Sequence, residues 1–311
     1  MTDYATKEAG VSFDPATDIP SLAGKTILIT GTNSGLGKRS ALELAKHSPA
    51  QLWMTARDPV KGKEALEEVK QAAPGSNVSF AELDLSSFAK IKEAAATVLK
   101  STKKLDILML NAGLMGCAPR LTEDGWEIQM ATNHLGHVLL LKLLEPILAP
   151  DARIVSLSSS AWKHAPPGMK ISFDTLRTAD NEAVTPVFRY VQSKVANLLY
   201  AQQYAKRNAE AHPKQIIVSI NPGEVKTNLF TREPGDEHMK KLQTEVVPKV
   251  AGPVENGIKN QLWAATTDAA NLVSGAHYAP IGVEEKWGLA EDEELAVQLW
   301  DWTEEALAGQ V

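Results

Sequence analysis

Lys25–Thr30 (KTILIT) is a short β-rich run. It leads straight into Gly31-Thr32-Asn33-Ser34-Gly35-Leu36-Gly37 and a helical pattern from Leu36 to about His47. A glycine-rich turn between a strand and a helix lets the main chain come close to a pyrophosphate. The helix that follows offers unpaired N–H groups and the positive end of its dipole. The spacing is G-x-x-x-G-x-G, not the commoner G-x-G-x-x-G. Glycines alone would mark only a tight turn; their place between the first strand and the first helix makes this a dinucleotide site.

Outward from this stretch, strand-like runs alternate with helix-period stretches. Gln51–Ala56, Val78–Leu83, Leu105–Leu110, Arg153–Leu157, Gln215–Ile220 and His277–Ala279 read as further strands. Pro59–Ala73, Phe88–Leu99, Glu123–Leu148, Val187–Asn208 and Val254–Thr266 read as helices, and Glu294–Ala308 as one in the tail. Leu105–Leu110 is apolar apart from Asp106, as suits a strand covered on both faces. The expected fold is α/β: a Rossmann-type doubly wound parallel sheet of about seven strands with helices on both faces. No Pro/Gly/Ser linker separates two cores, so residues 1–311 read as a single dinucleotide-binding domain. Residues 1–20 form an N-terminal arm, 161–186 and 228–252 substrate-side loops, and 282–311 a C-terminal extension. Long loops after successive strands lie where open sheets bind their ligands.

The chain carries 32 basic and 38 acidic residues, a net charge of −6, which argues against nucleic-acid or anionic-membrane binding. A single cysteine, Cys117, excludes an intrachain disulfide framework and fits a reducing compartment. Met1–Pro20 holds no apolar stretch, and His137–Ala149 is short and broken by Lys142 and Glu145. The expectation is a cytoplasmic protein without a membrane anchor.

The second strand bears on cofactor choice. An acid about 20 residues past the glycines usually meets the ribose 2′-OH of NAD. Here Arg57 lies at that distance from Gly37, and a guanidinium suits a 2′-phosphate. Lys38 adds charge nearby, whereas Asp58 is an acid one residue further on that would favour NAD. The sequence favours NADP(H) over NAD(H).

Thr30–Gly37, Asp84-Leu85, Asn111-Ala112-Gly113, Ser159, Tyr190-x-x-x-Lys194 and Pro222-Gly223-x-Val225-x-Thr227 occur in this order. Together they resemble the single-domain branch of the short-chain dehydrogenase/reductase family. Asn133-His134-Leu135-Gly136-His137 and Tyr190–Asn197 (YVQSKVAN) are most similar to its retinol-dehydrogenase and WW-domain-oxidoreductase-like group. The resemblance implies that Gly31, Asn33, Ser34, Gly35, Leu36 and Gly37 cradle the cofactor, that Asp84 and Leu85 meet the adenine, and that Asn111, Ala112 and Gly113 line the path to the nicotinamide. It implies that Pro222, Gly223, Val225 and Thr227 border the carboxamide. It also implies that Asn133 joins the catalytic group by holding a proton-relaying water. Helices Glu123–Leu148 and Val187–Asn208 are the implied contacts of a homodimer, an assembly left open.

Tyr190 and Lys194 are four apart and share a helix face. A free tyrosine, with a pKa of about 10, is a poor base at neutral pH; a nearby ammonium, together with the positive nicotinamide ring of the oxidised complex, should depress that value. Tyr190 then gives a proton to a carbonyl oxygen or takes one from an alcohol. Ser158, Ser159 and Ser160 all emerge at the carboxyl end of Arg153–Leu157, and any of them could donate to the substrate oxygen; alignment to the family selects Ser159. Met115, Cys117, Trp162 and His164 are candidate substrate wall, and a buried inert thiol is the simpler reading of Cys117. His134 and His137 find no third ligand at a recognisable spacing, so no metal is expected. The expected activity is NADPH-dependent reduction of a ketone or aldehyde on an apolar small molecule, or the reverse alcohol oxidation. A cyclase or isomerase that keeps the cofactor as scaffold, and a non-enzymatic cofactor sensor, are the alternatives.

Overall fold

The computed structural model describes residues 10–164, 170–180, 184–227, 229, 240–286 and 288–311. Strands β1 (Thr26–Ile29), β2 (Gln51–Ala56), β3 (Val78–Glu82), β4 (Leu105–Leu110), β5 (Leu148–Leu157), β6 (Ile216–Ile220) and β7 (His277–Tyr278) form one sheet. Its order is β3-β2-β1-β4-β5-β6-β7, and every pairing between neighbours is parallel. The chain winds outward from β1 to β3, then crosses back to lay β4 beside β1. The carboxyl ends of β1 and β4 therefore flank a topological switch point, where such sheets hold ligands.

Side-chain alternation divides the strands between two cores. Leu28 of β1, Leu108 of β4, Ile154 of β5 and Ile217 of β6 face one core. Helices α3 (Phe88–Ser101), α4 (Gly136–Leu144), α5 (Pro186–Asn208) and α7 (Glu293–Ala306) cover that side. Ile27, Ile29, Met109, Val155 and Val218 face the other core, closed by α1 (Gly35–Ala45), α2 (Pro59–Ala72), α6 (Val254–Thr266) and residues of the N-terminal arm such as Phe13 and Ile19.

The structure corrects the helix expected over Glu123–Leu148. A turn closed by Thr122 and Trp126 precedes it, and the Glu127 carboxylate caps a helical turn that opens only at Ile128. A π turn over Ala131–Leu135 then leads into α4, which ends at Leu144 because Pro146 cannot donate a backbone hydrogen bond. The strand expected from Arg153 begins earlier, at Leu148, which pairs with Leu105.

The C-terminal extension is a helix packed along α5. Leu295, Ala296 and Leu299 of α7 are buried, Trp300 stacks on Tyr200 at 4.8 Å, and Trp302 meets Trp126 edge-on at 5.4 Å. Lys142 pairs with Glu304 at 2.9 Å, and Lys206 pairs with Glu293. The helices implied as dimer contacts are thus covered over these stretches by the chain's own terminus. Among the described residues no helix is long and apolar enough to cross a membrane.

Candidate active site

A cavity of about 160 Å³ opens at the switch point. Gly31, Asn33, Ser34, Gly35, Leu36 and Gly37 form its floor. Gly31 takes a φ of +74°, and a Cβ there would sit 2.9 Å from the Ala112 Cα. A Cβ on Gly37 would sit 2.5 Å from the Asn111 amide nitrogen. That nitrogen donates to the Thr30 carbonyl at 2.7 Å, and the Thr30 hydroxyl accepts the N–H groups of both Asn111 and Ala112 at 2.9 Å. The glycine turn and the turn after β4 are therefore laced together, and Asn111, Ala112 and Gly113 line the cavity as expected. The Asn111 side-chain oxygen is buried without a partner.

At the far end of the cavity lie Arg57, Asp84 and Leu85. Arg57 is exposed just beyond β2. Asp58 turns to a different task, capping α2 by accepting from the N–H groups of Val60 and Lys61. Lys38 is drawn aside by Glu68 at 2.7 Å and does not line the cavity. Asp84 accepts from the Ser86 N–H at 2.9 Å and hydroxyl at 2.6 Å, so it braces the turn before α3 while bordering the cavity.

The opposite end is built on β5 and α5. Among the three serines after β5, Ser158 is buried and donates to the Lys194 carbonyl at 2.7 Å, which anchors α5. The Ser160 hydroxyl reaches Glu224. Ser159 is the one close enough to the Tyr190 phenol to draw its pKa down, while its hydroxyl accepts the Ala161 N–H at 3.1 Å. Tyr190 and Lys194 line the cavity together, with the Lys194 ammonium 5.8 Å from the Tyr190 ring centre. Lys194 Nζ donates to the Leu157 carbonyl at 3.0 Å, as does the Asn197 amide.

The chain's own groups do not by themselves depress Tyr190. Burial pushes the phenol up to about 12, and the nearby Ser159 hydroxyl only partly opposes it. Burial also brings the Lys194 ammonium down to about 8, because the charged form has lost its water.

Asn133 lies in the π turn and is fully buried. Its side chain accepts from the Leu114 N–H at 2.7 Å and donates to the Leu114 carbonyl and the Ser193 hydroxyl. It thus clamps the turn after β4 to α5 rather than bonding within its own helix. Pro222 and Thr227 line the cavity. Gly223 is exposed, and Val225 is buried close to Leu36 and Gly257, so neither lines it.

The substrate-wall candidates fare differently from the cofactor set. Cys117 is buried with Leu114 and Ile128, and Trp162 is buried in the core beneath α5 and α7. Met115 is half-buried outside the lining, and the helical turn Ser160–His164 holds His164 at its end. Side chains that the motifs did not point to, Ala56, Leu83, Leu114, Thr132, Leu157 and Leu229, also line the cavity, and of the three serines it is Ser158 that does so, not Ser159. Thr132 adjoins the Asn133 motif and was within reach of the sequence; Leu229 sits in a loop with no periodic signal. His134 and His137 are packed histidines, bonded to Asn197 and Thr303 and to Thr30 and the Asn133 carbonyl respectively. Among the described residues no cluster of potential metal ligands forms.

The family model for short chain dehydrogenases matches residues 25–171. A short-chain dehydrogenase/reductase from Aspergillus calidoustus, drtF, is 33% identical over 306 residues, covering 93% of this chain and 95% of that protein. The chain belongs to the short-chain dehydrogenase/reductase family. Human retinol dehydrogenase 14 is 35% identical, covering 90% of this chain and 85% of its own, and places the family member in the retinol-dehydrogenase-like group. A solved structure of an uncharacterized protein from Mycobacterium Paratuberculosis superposes with a TM-score of 0.71 at 31% identity, over 94% of this chain and 96% of that one. The family fold binds a nicotinamide cofactor, and the residues here suit one. Gly31 and Gly37 let the glycine turn close onto the turn after β4, since a Cβ on either would strike Ala112, Asn111 or the Gly31 carbonyl, and the Asn111 oxygen is a buried acceptor in need of a donor.

Proposed function

We propose that the protein is an NADPH-dependent carbonyl reductase acting on an apolar small molecule, and that it can run the reverse alcohol oxidation. The observation that carries this reading is the Tyr190 phenol, beside Ser159 and lining the same cavity as Lys194 and the glycine turn. Bound at the glycine floor, the reduced nicotinamide supplies a hydride. Tyr190, kept protonated at neutral pH by its burial, is in the form required to give a proton to the carbonyl oxygen. Ser159 donates a hydrogen bond to that oxygen as charge develops. Lys194 holds positive charge beside the phenol and so eases loss of its proton, and Asn133 keeps the turn after β4 fixed against α5. Leu114, Leu229 and Pro222 along the lining support an apolar substrate.

The preference for NADPH is supported by the division of labour after β2. Arg57 is exposed beside the cavity and available to a 2′-phosphate, while Asp58 is committed to capping α2. The complete set of Ser159, Tyr190 and Lys194 supports redox chemistry over a scaffolded isomerisation or a sensor. The test is Tyr190→Phe, assayed by NADPH consumption against a panel of aldehydes and ketones. Turnover is expected to vanish while fluorescence titration shows NADPH affinity near that of the parent. Undiminished turnover would remove Tyr190 from the reaction.

A further inference from the structure

We infer that His137 is a positioning residue: a neutral imidazole with its proton on Nδ1 that locks the Thr30 hydroxyl into the cofactor site and ties it to the Asn133 main chain. The inference rests on the reading of the cavity as a nicotinamide-cofactor site and adds a residue to it. His137 does not line that cavity; it lies behind it, on the first turn of α4, where it is 2% exposed.

Hydrogen bookkeeping at Thr30 fixes the roles. Its hydroxyl oxygen accepts the N–H of Asn111 and the N–H of Ala112, both at 2.9 Å, so its two acceptor positions are filled. Its single proton must then go outward. The His137 Nε2 atom lies at 2.9 Å, against 3.4 Å for the Met109 carbonyl, which already accepts the Thr30 N–H at 3.0 Å. Nε2 is therefore the acceptor. On the other side of the ring, Nδ1 lies 3.0 Å from the Asn133 carbonyl, which can only accept, so Nδ1 carries the proton. The opposite tautomer would press two lone pairs together at Asn133 and leave Thr30 with three donors. An imidazolium would do the same at Thr30. Desolvation agrees with this assignment: the ring is held in its neutral form, its pKa brought down to about 3, with the Lys194 ammonium as a nearby charge that also disfavours protonation.

The consequence is mechanical. The Thr30 hydroxyl is the point at which the strand before the glycine turn grips the turn after β4. With its proton anchored on His137, its lone pairs stay aimed at Asn111 and Ala112. Without that anchor the hydroxyl is free to rotate toward Met109 and release one of the two amides.

Two measurements on the full chain test this. Long-range proton–nitrogen correlation of the labelled imidazole at pH 7 is expected to show a neutral ring protonated on Nδ1. A ring protonated on Nε2, or a cation, overturns the assignment without reference to any activity. Fluorescence titration with NADPH should then show His137→Phe weakened by about tenfold, roughly one charge-free hydrogen bond. His137→Gln, whose amide can donate one bond and accept the other, is expected to recover most of the loss. The Thr30→Val/His137→Phe double variant is expected to bind no more weakly than Thr30→Val alone, since both act through the same hydroxyl. Additive losses, or a His137→Phe variant with parental affinity, would overturn the inference. If His137→Phe does not fold, the same cycle is run with His137→Leu, which also removes both hydrogen bonds, and the tautomer measurement stands unchanged. A parent chain that binds neither NADPH nor NADH would instead strike at the cofactor reading, leaving the ring assignment to be judged by its own spectrum.

Discussion

The Arg57 guanidinium is exposed beside the cavity while the Asp58 carboxylate accepts the amide protons of Val60 and Lys61. From the sequence these neighbours pulled toward different cofactors, and only the cap on α2 separates their duties. Arg57→Ala is expected to weaken NADPH binding by about 1–3 kcal/mol, the usual loss of a charged hydrogen-bond partner, and to leave NADH binding nearly unchanged. Paired titrations with the two cofactors read this directly; an unchanged ratio would return the choice to Asp58. Tyr190 and Lys194 were legible as a pair from their spacing, but the direction of the Tyr190 shift was not. Spacing places an ammonium near a phenol, whereas the balance between that charge and lost water depends on how completely α5 is packed, and burial wins here.

At the scale of elements, α7 docks through a buried face made by Leu295, Ala296 and Leu299. Leu299 is fully buried against α5. Leu299→Ala is expected to cost about 2–5 kcal/mol, the range for truncating a buried leucine, measured by denaturant unfolding. A loss within a few tenths of a kcal/mol would mean that α7 is held only by its edges. The strands and the helices before and after the sheet crossings were readable because period-2 runs and period-3.6 runs alternate cleanly. The stretch from Glu123 to Leu148 was not. Its apolar spacing continues through the turn at Gly125 and through the π turn, and a π turn shifts the helical register by one residue without leaving a mark in the pattern. The cofactor floor was legible because main-chain approach demands glycine at fixed places. The substrate wall was not, because Cys117 sits in a loop and Trp162 in a short helical turn whose directions are decided by tertiary packing, and both are buried.

For the whole molecule, three buried histidines set a dependence on acid. His134, His137 and His277 are held neutral, with pKa values brought down to about 4, 3 and 3 by burial. Each has a folded pKa below its unfolded value, so the stability it permits is present above about pH 6.5 and is lost as pH falls toward the folded value. His277 faces the Ser219 hydroxyl at 2.9 Å, with Glu285 and Lys163 paired alongside it. Replacing it with glutamine is expected to flatten the stability-against-pH curve between pH 6 and 4 by about 1.4 kcal/mol per pH unit, one proton's worth. Denaturant midpoints across that range check it; an unchanged slope would mean His277 titrates while folded. Assembly is also decided at this scale. With α7 lying along α5, sedimentation is expected to find a monomer near 33.6 kDa. A stable dimer would require a face other than the one implied by the family. The order of synthesis gives that covering helix a further consequence. It follows every cofactor-binding motif along the chain, so the aromatic face of α5 stays bare while the glycine turn and most of the sheet are already made. A stop after Gly288 would yield a chain with those motifs intact and an open core, a species prone to aggregation. Helix α7 thus acts as a seal, set only after the parts it protects have left the ribosome.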